Sequence, residues 1–458
     1  MLALNSKSQF VPPLFVPGIR LVCAGCAIFL AGFVAIVFLY PAARAGYEVR
    51  GRSSENKNPA ARLSSNATVR PSGFINPRVS LRAGRDLLTG YQGPETLQRA
   101  LAENQADPRS LASADFDEDG VPDLVAGYAY GDRGIVAVHR GNIDSIYPNS
   151  PEAKQRHQTG TFTDAPFLSP ALAIEASAAA DFVAAGDFNA DGHWDIVIAG
   201  RGDDGLHFFA GDGTGRFATE ERIPAGGNVT ALVAGDVNRR DGLTDLVIGV
   251  TTREVSFVSI FEGPEGALRS APEKFPMRGP TTSVAIGQLD ASSEVDVAVA
   301  DGNELRVIYG RDRKLSLDPV EQSTVSAARQ FVLEYSANIR SIAIGDFVGN
   351  SRSDIALLTD DGALHLLEQR QKGDKMLTSA RAKQDGWHEV SEAQASNYPQ
   401  ATELMRAIVS SSVKDDLIVV DQGNRQLNIS THDAEQMQSR FDLDLPPVAV
   451  LPLSLIHI

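Results

Sequence analysis

The chain has 458 residues, 43% hydrophobic and 22% charged, which fits one large or several small globular domains and excludes wholesale disorder. A formal net charge of −16 argues against a nucleic-acid partner, whose phosphates need clustered Lys and Arg, and suits a protein that holds cations. Cys23 and Cys26, the two cysteines, lie in one apolar run near the N-terminus, so the remainder has neither a disulfide framework nor a Cys-based zinc site.

Leu21 to Tyr40 is a run of 20 residues without a charge, preceded by Lys7 and Arg20. Small residues at Ala43 and Ala45 follow it, spaced as before a signal cleavage. The run is also long enough for an N-terminal hydrophobic helix that spans a membrane. Residues 1–45 are therefore read as a signal peptide or a signal anchor. Both readings export the rest of the chain, to be secreted, periplasmic, at the cell surface, or anchored to the membrane through 21–40. Residues 46–74, rich in Ser, Asn, Arg and Pro, read as solvated linker, and 46–105 as a whole as linker and lead-in, with one short helix from Glu95 to Asn104.

From residue 106 the chain repeats one unit: a short apolar run, a polar loop, an Asp, then a β-branched run. The closing Asp of the six units is Asp123, Asp195, Asp245, Asp296, Asp354 and Asp416. Units of that spacing, built from strands and turns with nearly continuous apolar runs, predict an all-β fold, a β-propeller of four-stranded blades over 106–452. Six blades are seen, and Val448 to Leu451 begins a seventh. Residues 453–458, Leu-Ser-Leu-Ile-His-Ile, match the translated end of a sequencing-transposase adapter and are read as an artefact, with the natural frame expected to continue past Pro452. A propeller cut there is expected to expose unpaired edges on its first and sixth blades.

The loops carry the chemistry. In the first unit Asp115, Asp117, Asp119 and Asp123 stand at loop positions 1, 3, 5 and 9, with Gly120 at 6. In the second they are Asp187, Asn189, Asp191 and Asp195, with Gly192 at 6. Alternate positions of a tight loop turn their oxygens to one centre, as a hard cation with six to eight oxygen ligands requires, and the backbone carbonyls of Val121 and His193 can add to the set. Position 12 is Ala126 or Ile198 where an EF-hand needs Glu, and strand follows where it would enter a helix; the pattern reads as a Ca²⁺ loop set between strands. A metal-free Asx turn is the simpler reading of one such loop, but two copies at matching places favour metal.

The third unit keeps Asp236, Asn238, Asp241 and Asp245, but Arg240 lengthens its loop and Arg239 adds charge. The fourth retains Asp290 and Asp296, the fifth has Val348 at position 3, and the sixth has no loop acid before its final Asp pair. These three are expected to fold without metal, their closing Asp serving as a turn or capping acceptor.

The pattern GDF-x-x-DG-x-x-D-[IL]-V-[IV] resembles the FG-GAP/VCBS repeats, which build the propeller of integrin α subunits. Phe208 to Phe217, a strand followed by Gly-Asp-Gly-Thr, adds to the likeness. The resemblance implies seven blades and Ca²⁺ in the loop between a blade's first two strands, carried onto the residues named above. It implies no single ligand.

Arg201-Gly202-Asp203 spells an integrin-recognition tripeptide but reads as a turn after a strand, and Gly211 to Gly215 reads as a hairpin turn, not a phosphate loop. No HExxH spacing, nucleophile elbow or acid–base pair stands out. The reading is an exported, calcium-binding, non-enzymatic adhesion or interaction module for an extracellular or periplasmic protein or glycan. The alternatives are an enzyme on the same scaffold, such as a polysaccharide lyase or cofactor-dependent dehydrogenase, and a structural envelope component.

Overall fold

The structure, a computed structural model, describes residues 19–23, 34–39, 85–87, 89–369, 387–393, 398–409, 414–430 and 438–454. The six repeats form six antiparallel sheets in chain order. The first comprises Asp107–Ala114, Asp123–Tyr130, Arg133–His139 and Ala171–Ala176, with Tyr91–Gln92 added in parallel at its outer edge. The second comprises Phe182–Gly186, Asp195–Ala199, Gly205–Phe209 and Glu221–Pro224. The third runs Asn228–Gly235, Asp245–Thr251, Ser256–Phe261 and Glu273–Met277, and the fourth Thr281–Gly287, Asp296–Asp301, Glu304–Ile308 and Gln330–Glu334. Ile339–Gly345, Asp354–Thr359, Leu364–Gln369 and Trp387–Ala393 make the fifth; Ala401–Ala407, Asp416–Asp421, Gln426–Ser430 and Gln438–Asp442 make the sixth. The expected propeller of four-stranded blades is the observed fold.

Register fixes the loops. In every blade the closing Asp pairs with the last residue of the first strand: Ala114 with Asp123, Gly186 with Asp195, Gly235 with Asp245, Gly287 with Asp296, Gly345 with Asp354 and Ala407 with Asp416. The acidic loops therefore project from one corner of each blade.

The core lies between blades, which is why the strands are apolar on both faces. Val125, Val136 and Val138 of the first blade meet Ile196, Ile198 and Phe209 of the second; Val197 and Phe208 meet Leu246 and Phe257 of the third. Equivalent clusters join the third to the fourth, the fourth to the fifth and the fifth to the sixth. Close approach explains the Gly before the loop acid. A Cβ on Gly186 would lie 2.3 Å from Thr244 Cγ2, and one on Gly235 2.2 Å from Ile286 Cδ1, both in the next blade.

A seventh sheet follows the sixth. Ala449–Ser454 pairs with Val34–Leu39, which pairs with Ile19–Cys23, which pairs with Arg85–Asp86. Val450 packs on the sixth blade's core, while Val448, Ala449 and Leu451 pack on the first's. The parts of 21–40 that are described are thus strand where the sequence was read as a helix, and the intervening residues 24–33 lie outside the described ones. The entry strand of the seventh unit, Ala449–Ser454, is thus continued by N-terminal strands and does not end the sheet by itself. Among the described residues no helix is long and apolar enough to cross a membrane.

The helix read at 95–104 is present as Glu95–Ala102, packing Leu97, Ala100 and Leu101 on the first blade. A second helix, Pro151–Thr159, lies in the long connection after Arg133–His139 and accounts for the wide spacing of the first two repeats. A chain beginning at residue 46 would lack Val34–Leu39 and Ile19–Cys23. It is expected to self-associate through the bared edge of Ala449–Ser454, and light scattering that finds a cooperatively melting monomer would disprove that role for the N-terminal strands.

Candidate metal centre

Loops one and two share one hydrogen-bonded frame. Asp115 accepts from the backbone N–H of Asp119 (3.1 Å) and Gly120 (2.9 Å), and Asp119 accepts from Val121 (2.9 Å). In the second loop Asp187 accepts from Asp191 (3.1 Å) and Gly192 (2.9 Å), and Asp191 accepts from His193 (2.9 Å). The reversal passes through Gly120 and Gly192 at φ +85° and +89°, a region open to glycine. Repetition of the same bonds shows that the frame is set by the motif.

Asp115, Asp117 and Asp123 place one oxygen each within 4.8 Å of one another, the one such group of three acidic, His or Cys residues among the described residues. Asp117 Oδ1 is buried with no hydrogen-bond partner, although its side chain is only 4% exposed. Burial, with the charges of Asp117 and Asp119 added, pushes the Asp123 carboxyl up to about 7. Burial first, then the charges of Asp117 and Asp115, also raise Asp119. Converging carboxylates that disfavour their own ionisation, around an orphaned oxygen, fit a hard cation. Asp115, Asp117 and Asp123 are the side chains placed to hold it, and Asp119 is engaged chiefly in the loop frame.

In the second loop Asn189 Oδ1 accepts from Asp191 N at 2.8 Å and its amide donates to Asp191 Oδ2 at 2.9 Å. Burial, with Asp191 and Asp187 adding charge, raises Asp195 to about 6. The His193 ring bonds Glu118 of the first loop at 2.7 Å, so the two loops touch. Phe116 O also accepts from Gly215 N, at 2.9 Å, in the Gly-Asp-Gly-Thr turn.

The third loop is built differently. Asp236 accepts from Gly242 N (3.0 Å), Asp241 from Leu243 N (3.1 Å) and Asp245 from Val237 N (2.8 Å). The Asn238 amide instead donates to Glu262 at 2.8 Å and accepts from Arg311 N at 3.3 Å, while its backbone bridges Val295 of the fourth blade. Asn238 is thus not brought toward Asp236 and Asp241. Asp241, Asp245 and Glu262 line a small cleft with Arg239, Arg313 and Lys314. Burial, then Glu262, Asp241 and Asp236, push Asp245 up to about 8. In the fourth loop Arg329 neutralises Asp290 at 2.6 Å; in the fifth Asp346 accepts from three backbone N–H groups between 2.6 and 3.0 Å.

The closing Asp has a structural role in all six blades, not only the metal-poor ones. Asp123 spans Phe116 N (3.0 Å) and Gly141 N (2.7 Å), Asp195 spans Phe188 N and Gly211 N (both 2.9 Å), and Asp296 spans Leu289 N (2.6 Å) and Gly310 N (2.7 Å). Asp245, Asp354 and Asp416 each accept one loop N–H. Each ties the loop to the body of the blade, and the spanning ones tie the third strand's exit as well.

One cluster was not legible in the sequence. His207, 2% exposed, bonds Glu220 Oε1 through Nδ1 and Asp203 Oδ2 through Nε2, both at 2.6 Å, and Ser177 Oγ lies 3.1 Å from Nδ1. The Ser–His–Asp order looks hydrolytic, but both ring nitrogens face carboxylates, and Ser177 Oγ also bonds Glu220. Both ring nitrogens are taken up by carboxylates, so the geometry is a tether between Asp203 and Glu220 and not a serine–histidine pair. Asp203 is the acid of the Arg-Gly-Asp tripeptide, Arg201 stacks on Phe182 and bonds Thr230 O, and Gly202 N bonds Val229 O, so the tripeptide is engaged by its own blade and the next.

Residues 108–139 match the FG-GAP repeat, and residues 187–248 match the FG-GAP-like repeat. Both matches lie within the blades, so the chain carries FG-GAP repeats on a propeller fold. No curated protein matches it. Two solved structures of BBS1N in complex with ARL6DN, one soaked with lead and one with mercury, are similar at TM-score 0.43 and 11% identity, over 75% of this chain and 81% of theirs. A likeness at that level says nothing about function.

Proposed function

We propose that this chain is an exported, calcium-stabilised propeller that acts as a non-enzymatic adhesion or interaction module, presenting its surface loops to a protein or glycan outside the cytoplasm. The observation that carries the calcium part is the convergence of Asp115, Asp117 and Asp123 around an Asp117 oxygen that has no donor. The second loop repeats the same frame with Asp187, Asn189, Asp191 and Asp195. All-oxygen, flexible multi-carboxylate ligation favours Ca²⁺ over the smaller Mg²⁺. Export rests on the apolar run at 21–40 as the sequence reads it. That reading competes with the strand pairing of Val34–Leu39, since a cleaved or membrane-held run cannot also pair with Ala449–Ser454.

Calorimetric titration of the full chain tests the assignment. Asp187→Ala is expected to remove one bound Ca²⁺, whereas Asp290→Ala, whose carboxylate is already paired with Arg329, removes none. An unchanged stoichiometry in Asp187→Ala, or an ion lost in Asp290→Ala, would count against it.

A further inference from the structure

In the first five blades one residue stands opposite the closing Asp, one position beyond the last pair of the second and third strands, at the acidic loop. It follows from the pairs Leu124–His139, Ile196–Phe209, Leu246–Phe261, Val297–Ile308 and Ile355–Leu367. The residues so placed are Arg140, Ala210, Glu262, Tyr309 and Glu368, a cation in the first blade and none in the other four. Arg140 turns its guanidinium onto the loop. Its Nε and Nη2 both contact Asp117 Oδ2, and Nη2 lies 4.0 Å from Asp119 Oδ2. The second loop, with the same acidic frame, has only the Ala210 methyl at that place.

We propose that Arg140 is a built-in counter-ion of the first loop, which it holds in the absence of metal and from which it must be displaced when Ca²⁺ binds. The Asp117 carboxylate is what the metal and the guanidinium share: Arg140 uses Oδ2, and Oδ1 is the orphaned oxygen. The Arg140 side chain is 52% exposed, so it has solvent to swing into while the aspartate stays buried. Displacement forfeits a charge-assisted contact, so the first loop binds Ca²⁺ more weakly than the second, and the chain has one tight and one weak site. The weak site is the one that responds to changing Ca²⁺, and its neighbour senses the response through the His193–Glu118 contact.

This inference rests on the calcium reading above, and its test separates the two. In an Asp187→Ala background the first loop is the remaining site, so calorimetry reads it alone. Adding Arg140→Gln is expected to tighten Ca²⁺ binding there by about tenfold or more, the size of one lost charge-assisted hydrogen bond. The same substitution should lower the melting temperature in EDTA, because the loop acids lose their internal cation, and enlarge the rise that Ca²⁺ produces. Ala210→Arg in the otherwise unchanged chain is the converse: it should weaken the tight site and leave the weak one as it was. Ca²⁺ binding that is unchanged by Arg140→Gln, with the parent chain binding two ions, would overturn the role of Arg140 and leave the calcium reading standing. No Ca²⁺ bound by the parent chain would overturn both.

Discussion

Replacing Asp195 with alanine is expected to destabilise the full chain by about 1–4 kcal/mol, because the buried N–H of Phe188 loses its acceptor at about 1–3 kcal/mol and the half-buried N–H of Gly211 loses its own at less. Asn at this position can accept only one of the two bonds and turns its own amide hydrogens on the other N–H, so Asp195→Asn should recover part of the loss and no more. Asp204→Ala, an exposed acid in the same blade paired only with Arg222, should change stability by under about 0.5 kcal/mol. Chemical denaturation of the three variants, with Ca²⁺ and with EDTA, is the measurement. An Asp195→Ala chain as stable as its parent in EDTA would mean that this carboxylate serves metal alone and does not tie the loop to the sheet.

The second large effect is on pH. Burial raises the carboxyls of Asp123 and Asp354 to about 7 and that of Asp245 to about 8, against an ordinary value of 3.8. A carboxyl raised in the folded state holds its proton there after the unfolded chain has released it. Such a group therefore costs stability as pH rises from its unfolded value through its folded one. Buried His139, lowered to about 4, works the other way between that value and 6.5, so the window is cleanest above it. In EDTA the melting temperature should fall between pH 6.5 and 8.5, while with millimolar Ca²⁺ the decline should flatten, since the cation replaces the lost protons in the first loop. A melting temperature in EDTA that is level or rising across that range would contradict burial as the dominant influence on these carboxyls.

The first two loops were legible because Asp at alternate positions with Gly at the sixth is a local pattern, and the register that aims it is repeated by every blade. The side chain opposite each closing Asp was not legible. Arg140 lies 17 residues beyond Asp123, and only strand pairing brings its guanidinium to Asp117. Asn238 matched the ligand pattern in sequence, yet the neighbouring blade draws its backbone to Val295 and Glu262 takes its amide. Gly186 and Gly235 stand before their loop acids because a side chain of the next blade closes on them, a contact that no local pattern shows. Pro151–Thr159 escaped detection because a helix polar all round has no apolar stripe, although Ser150 caps its start, Pro151 opens it and Gly160 ends it at φ +73°. His207 meets Asp203 and Glu220 through strand pairing and a loop crossing, which no short-range spacing encodes.

Whether the loops hold calcium is measured most directly by a count of the ions bound to the full chain. Equilibrium dialysis against radioactive Ca²⁺, with excess Mg²⁺ present, is expected to give two ions per chain, both released by EDTA with a fall in melting temperature. A chain that retains no Ca²⁺ and melts at the same temperature in EDTA and in millimolar Ca²⁺ would contradict it.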